Sequence, residues 1–594
     1  MLMCNHGDES RGFSTWDWLG MSAVASTGIM VAGILGLLVS GPGRRYRIGT
    51  GLLLGVGLLG GVATLGLGVL SARKGGLTPA DVLRLLTKIW VHPERDGTMF
   101  LLGVLVSLPL VAFFTHVLLG DSDSARLVAS INYVEHQDWH YLIHTQENYL
   151  PHLIMGPILA IGGIAAVKAL TILTVQALAG IVSFISWKLT RSWLGAVASI
   201  LALLSFQGIV ARTAYLPMYP AMLALGYTGT YLAYRAIASE GRKSLAFATF
   251  AGLCLAMSPE AQPVGQAFLL LPVLLAVGVG LRRALPGLLR TYAALALFLL
   301  PRAVINLSEG AFSHFLSYRV DYWITKGYLN DIQKKFFKYP SRLGYPDYMS
   351  SLVRHLPRIT GRGGLVVVLL GLAGIMVSRP KVRRFGLIAC LYLLAPLVVA
   401  RGPFLSRYYS PLFVGAAIAA ALLLAPSVGR IARGVSLSLV AMLLVLALVN
   451  LGSTLKEIRV EQAKVLSGPY RQLASLVDDG GGVIGARSAY LLFVDPHIRT
   501  YGSQFLSERE YVTYLTWPSD EAVVRVLRAH RIRWVLIMTR RWEVRYNNAW
   551  LLSAYEKPAR HYFSIDSSPQ FCLELEAPPF RLYKLGCPSL ERPG

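Results

Sequence analysis

Residues 120–152 read GDSDSARLVASINYVEHQDWHYLIHTQENYLPH. They hold five carboxylates, Asp121, Asp123, Glu135, Asp138 and Glu147, against one arginine, Arg126. The stretch lies between two apolar runs. A carboxylate at a membrane–water boundary is partly desolvated, which raises its basicity. Two carboxylates two residues apart also offer hard oxygen ligands to one divalent cation, Mg2+ or Mn2+. Asp121 and Asp123 therefore suit a reaction in which a hydroxyl loses its proton while a phosphate leaves. The plainer alternative is an outside loop that is merely polar. His136, His140, His144 and His152 share the stretch, but prolines, glutamines and aromatics interrupt any clean zinc site and no HExxH motif is present.

A departing phosphate needs cations or N–H donors. The segment ARGPFLSRYYSPLF, residues 400–413, places Arg401 and Arg407 close enough to serve one anion, with Tyr408 and Tyr409 beside them. The competing explanation is interfacial snorkelling and an aromatic belt. Arg212, with Tyr215 and Tyr219 in ARTAYLPMYP, is a second candidate that an aromatic belt explains equally simply. Glu260, beside Pro259, could meet a sugar hydroxyl or merely end a helix. In the loop 308–362, Lys334, Lys335, Lys338 and Arg342 interleave with Phe336, Phe337 and Tyr339, a pattern suited to an interfacial cover over a lipid phosphate or a glycan.

The elements that must position these groups are membrane spans. The chain has 594 residues, of which 54% are hydrophobic and only 15% charged. Such a composition points to a polytopic α-helical membrane protein. The net charge of +25 sits in short loops between apolar runs, which argues against nucleic acid and for contact with membrane lipids. Runs near 21–40, 49–71, 98–119, 168–187, 192–211, 216–238, 243–258, 264–281, 291–307, 363–378, 385–400, 407–425 and 434–452 give about 13 spans. Residues 150–166 read either as an extra span or as an interfacial helix. With 120–150 outside, basic groups such as Arg73, Lys188, Arg282 and Arg383 fall inside, and only Arg44, Arg45 and Arg47 disagree. Lys168 and Arg212 fall at span ends, leaving the spans nearly uncharged within.

This scheme expects three parts in a multi-pass plasma-membrane protein. Residues 1–97 form a transmembrane hairpin and cytoplasmic linker. Residues 98–452 form a membrane module with external loops 120–167 and 308–362. Residues 453–594 form an extracytoplasmic α/β domain. In that tail, GGGVIGARSAYLLFVDP and RIRWVLIM read as short buried strands, and SDEAVVRVLRAHR reads as a helix capped by Ser519 or Asp520. A Cys572–Cys587 disulfide is open if the tail meets an oxidising compartment. No nucleotide-binding fingerprint is present.

The acidic stretch resembles the first external loop of the GT-C class of polytopic glycosyltransferases, in the pattern of bacterial relatives of protein O-mannosyltransferases and of the aminoarabinose transferase of lipid A. These carry a D-E-A-R-Y type motif, then G-D-W, then K-P-P-L at a helix start. Here the pieces are DSAR at Asp123–Arg126, QDW at Gln137–Trp139 and YLPHLIMGP at Tyr149–Pro157. Ser124 replaces the second acid, His152 stands where a proline is expected, and the basic residue of K-P-P is absent. RYYSP at Arg407–Pro411 resembles the R-Y-x-x-P helix start of the same enzymes. The resemblance implies an inverting transferase. It would move a sugar from a polyprenyl-phosphate donor to a hydroxyl of a glycan, lipid or protein acceptor. Asp123 would be the base, Asp121 its partner or a metal ligand, and Arg407 the first choice for the donor phosphate. The competing classes are a transporter or flippase of lipid-linked glycans and a surface-polysaccharide polymerase or ligase. A carrier would place charge in mid-membrane.

Overall fold

Apolar residues fill most helical positions of the chain without a polar face, so the helices bury one side against each other and leave the other to lipid. The computed structural model describes residues 96–118, 149–308, 345–399, 406–425, 433–466, 469–477, 481–485, 488–495, 498–501, 510, 513–514, 516–538, 561–578 and 580–586. In chain order the helices used below are α1 (Asp96–Val106), α2 (Tyr149–Thr190), α3 (Trp193–Leu204), α4 (Gln207–Val210), α5 (Met218–Ala238), α6 (Gly241–Ala261), α7 (Leu271–Val279), α8 (Leu281–Ser308), α9 (Tyr345–Thr360), α10 (Arg362–Val377), α11 (Pro380–Val399), α12 (Ser406–Ala421) and α13 (Arg433–Leu466). The protein is a polytopic, mostly helical membrane protein. Among the described residues, 4 helices are long and apolar enough to cross a bilayer, or up to 6 if each bent pair counts as one span. The expected runs at 21–40 and 49–71 lie outside the described residues.

The bundle core gathers Leu178 and Val182 of α2, Ile200 and Leu203 of α3, Met222 of α5, Phe413 of α12 and Leu443 of α13, with Phe206 and Phe268 from the connections. Phe206 stacks on Phe413 with centroids 4.6 Å apart and planes 9° from parallel. Such ring pairs add a favourable quadrupole contact to the area they bury. The outward sides of α8, α11 and α13 expose Leu297, Leu391 and Val449, as lipid-facing surfaces do.

The spans are not all straight. Residues 150–166 take up the first part of α2, whose two helical pieces meet at a break at Gly163 (φ 62°, ψ −160°) before the second runs on to Thr190. Glycine tolerates that backbone and an L side chain does not. Lys168 follows the break closely, near the start of the apolar segment Ile161–Thr190, and is 2% exposed. The run at 192–211 is likewise not one straight span: α3 and the helical stretch Gln207–Ala214 meet at 77°.

Beyond α13 the chain forms α14 (Pro469–Leu476), α15 (Asp520–Ala529), α16 (His561–Ser567) and five strands: β1 (Gly482–Gly485), β2 (Thr500–Tyr501), β3 (Ile532–Met538), β4 (Phe571–Ala577) and β5 (Phe580–Leu585). The sheet order is β2-β1-β3-β5-β4, with β1 parallel to β2 and β3, and β5 antiparallel to β3 and β4. Ser519 caps α15 by accepting from the Ala522 amide. Met155 and Val167 of α2, with Leu216 and Met218, enter the same apolar cluster as Tyr470, Leu473, Val483, Trp517 and Leu536. The sheet therefore packs on the end of the bundle at which α2 begins. Cys572 is disulfide-bonded, whereas Cys254 and Cys390 are free.

Candidate functional site

After Phe113 the chain leaves helical structure and runs to Leu118, the last described residue before the acidic stretch. The Leu118 amide donates to the Ala214 carbonyl at 2.7 Å. Ala214 ends a tight turn, Ala211–Ala214, directly after α4. The neighbouring Thr213 carbonyl accepts from the Lys168 amino group. A buried amino group needs a hydrogen-bond partner to offset lost hydration. Here a backbone carbonyl at the end of a helical turn supplies one, and the contact ties α2 to the turn that holds Leu118. Lys168 also lines a small crevice of about 10 Å³ with Val117, Ile164, Val167, Thr171, Tyr215 and Leu216.

Arg212 belongs to the same turn. Its guanidinium carbon lies 4.7 Å from the Tyr215 ring centre and 4.8 Å from that of Tyr219. Aromatic faces attract a cation without using its N–H groups. The buried Arg212 Nε has no hydrogen-bond partner among the described residues. Arg212, Tyr219 and Ser410 line a second, largely apolar crevice of about 10 Å³ with Val175, Leu178, Ile209, Pro220 and Leu223. A cation among apolar side chains is chemically suited to an anionic group carrying a hydrocarbon chain.

A third connection comes from α13. The Arg459 Nε donates to His116 Nε2 at 3.3 Å, so that nitrogen is the acceptor and His116 is neutral with its proton on Nδ1. That proton is donated to Gln462 Oε1 at 2.9 Å. Gln207 of α4 reaches Glu457 of α13 at 2.6 Å. The strand of chain entering the acidic stretch is thus held by α2, by the turn after α4, and by the end of α13 that leads into the sheet.

The sequence candidates distribute as follows. Asp121, Asp123, Arg401 and Lys335 lie outside the described residues. His152 falls in the first turn of α2, and Arg407 and Tyr408 in the first turn of α12. Ser410, in that same α12 segment, joins the Arg212 crevice. Glu260 is 5% exposed in the last turn of α6. Its neighbour Ser258 donates to the Met222 carbonyl of α5 at 2.9 Å. Sequence reasoning passed over Lys168, His116 and Ser410 as site residues. A lone lysine within an apolar run was the available signal for the first. The other two carry none, because only the tertiary arrangement makes them neighbours of the site.

No family model matches the sequence, and no curated protein matches it. Among solved structures, ArnT from Cupriavidus metallidurans bound to undecaprenyl phosphate superposes with a TM-score of 0.51 at 10% identity, covering 82% of this chain and 97% of that one. The fold is that of the GT-C glycosyltransferases. The oligosaccharyltransferase of Archaeoglobus fulgidus, without ligand, gives a TM-score of 0.48 at 14% identity over 78% of this chain and 72% of that one. At these identities the GT-C likeness is one of fold. DSAR and QDW lie outside the described residues, and YLPHLIMGP, Tyr149–Pro157, opens α2.

Proposed function

We propose that this protein is a membrane glycosyltransferase that moves a sugar from a polyprenyl-phosphate donor to an acceptor hydroxyl on the extracytoplasmic side. The observation that carries the reading is the GT-C fold over nearly the whole of a transferase whose structure holds undecaprenyl phosphate. The placing of Arg212 among apolar side chains supports it chemically, since a prenyl phosphate is an anion on a hydrocarbon chain. The Cys572 disulfide supports an extracytoplasmic tail, because disulfides persist in oxidising compartments. The sheet and the ends of the acidic stretch share one end of the bundle, so the tail and the reaction would face the same side.

In this reading Asp123 removes the proton of the acceptor hydroxyl as its oxygen bonds to the anomeric carbon. The bond from that carbon to the phosphate oxygen breaks, the electron pair leaves with the phosphate, and the configuration inverts. Asp121 orients Asp123 or the acceptor. Arg212 is a candidate partner for the phosphate, with Arg407, Arg401 and Tyr408 from the start of α12 and Lys335 from the loop 308–362. His152 and Glu260 are candidates for contact with the sugar or acceptor. The spacing of Asp121 and Asp123 also suits a divalent cation, Mg2+ or Mn2+. The tentative ligands Asp121 and Asp123 lie outside the described residues, and among the described residues no group of three His, Cys, Asp or Glu could hold a metal ion. No step is routed through one.

The test is a transfer assay with the purified chain in lipid, offering a panel of polyprenyl-phosphate sugars alongside the matching nucleotide sugars. Transfer from one lipid-linked donor and none from the nucleotide sugars is expected. Transfer from a nucleotide sugar in the absence of lipid-linked donor would overturn the proposal.

A further inference from the structure

Helix α9, YPDYMSSLVRHLPRIT, precedes α10 and has three distinct faces. Successive residues advance about 100° around a helix. Tyr348, Leu352 and Ile359 fall on one side and are buried, where α9 packs on α4, α10 and α12. Next around the axis come Met349 and Val353, which are 42% and 61% exposed, with Pro346 and Pro357 also exposed beside them. The third face holds Asp347, Ser350, Arg354 and Arg358, all exposed. A soluble amphipathic helix needs only a buried and a polar face. The middle apolar face has no partner among the described residues.

The junction with α10 sets the orientation of this helix. Gly361 has φ 76° and ψ 161°, and α9 and α10 meet at 110°. Glycine is the residue that turns the chain there, since an L side chain would be strained and its Cβ would stand 3.0 Å from the Gln207 Cβ. If α10 runs along the bilayer normal, α9 lies about 20° from the membrane plane (110 − 90). On α10 itself Leu369, Leu372 and Met376 are exposed, as on a lipid-facing span.

We infer that α9 is an anionic-lipid binding surface, with the Met349–Val353 face seated in the acyl boundary and Arg354 and Arg358 bound to lipid phosphates. Charge and geometry favour this occupant. The two arginines stand one turn apart on the face next to the apolar one, which is how basic amphipathic helices meet a bilayer. Neither forms an ion pair among the described residues. Asp347, the acidic residue of the same face, lies about two turns from Arg354. The inference needs only that the chain spans a bilayer and is independent of the transfer reaction.

The experiment uses the full chain in nanodiscs of phosphatidylcholine with or without phosphatidylglycerol. A fluorophore on Val353→Cys reports immersion, and mass spectrometry of retained lipid reports selectivity. Nitroxide lipids should quench the Val353 probe more strongly than iodide does. The wild-type chain should retain phosphatidylglycerol preferentially, and each arginine changed to alanine should cut that preference roughly fivefold. Arg354→Lys with Arg358→Lys should restore most of it, since the interaction is chiefly one of charge. Quenching by iodide alone, or a preference unchanged in Arg354→Ala with Arg358→Ala, would overturn the inference. So would efficient cross-linking of Val353→Cys between two copies, which would mean that a second chain covers the face.

Discussion

Lys168 stands near the start of the apolar segment Ile161–Thr190, at the span end where hydropathy places it. What hydropathy does not show is the break at Gly163 just before it and the closure of its amino group on the Thr213 carbonyl. Replacement by methionine keeps the stem but leaves that carbonyl without its donor. Removing one partner of a buried polar contact typically costs about 1–3 kcal/mol. Lys168→Met should therefore lower thermal stability in detergent and speed proteolysis near the acidic stretch, both read on the purified chain. Arg212 tests a different link. Its guanidinium lies between two rings and among apolar side chains. Lysine retains charge but lacks the planar fork. Under the proposed function, Arg212→Lys should raise the KM for the lipid donor more than it lowers kcat, and Arg212→Ala should do so to a larger degree. Unchanged donor KM in both variants would remove Arg212 from the phosphate site.

At the scale of elements, legibility followed periodicity and capping. The pattern SDEAVVRVLRAHR gives both α15 and its Ser519 cap. GGGVIGARSAYLLFVDP and RIRWVLIM contain β1 and β3, but in the first segment only Gly482–Gly485 is extended: Ser488–Tyr490 and Leu491–Val494 are helical turns, which a short apolar run does not distinguish from strand. Ser519→Ala should cost about 1 kcal/mol, as a lost N-cap usually does, measurable as a fall in the melting temperature of the tail signal. Bends were the illegible part. Hydropathy reports side chains and is blind to backbone direction, so the 77° turn after α3 and the 110° turn at Gly361 left no mark on it. Gly361→Ala adds a Cβ in a strained conformation close to Gln207. It should destabilise the α9–α10 junction, whereas Gly452→Ala, in the helical interior of α13 with open space around the added Cβ, should be neutral or slightly stabilising. Melting curves of the two variants in the same lipid compare them directly.

At the scale of the molecule, the sheet and the bundle share an apolar cluster, and α13 carries the hydrogen bonds that reach His116. The helical membrane class was legible because a long apolar chain has few other ways to satisfy its backbone. The packing of the tail on α2 was not, because Met155, Val167, Leu216 and Met218 read as ordinary span residues. The tail also carries a pH signature. Burial, then the hydrogen bond that the Tyr583 hydroxyl donates to Asp566, pushes the Tyr583 phenol up to about 12. An unfolded tyrosine titrates near 10. A raised acid favours its protonated form in the fold, so this contribution is full below about pH 10 and is lost as pH rises through about 12. Tyr583→Phe should accordingly lose less stability than the wild-type chain across that window, as read by melting temperature against pH. The central claim, an aspartate drawing a proton from the acceptor while prenyl phosphate departs, is tested most directly by single-turnover release of polyprenyl phosphate from the donor that supports transfer. Asp123→Asn should slow release roughly 10²–10⁴-fold, the range for a lost general base, while leaving donor binding intact. Release at the wild-type rate in both Asp123→Asn and Asp121→Asn would contradict the account.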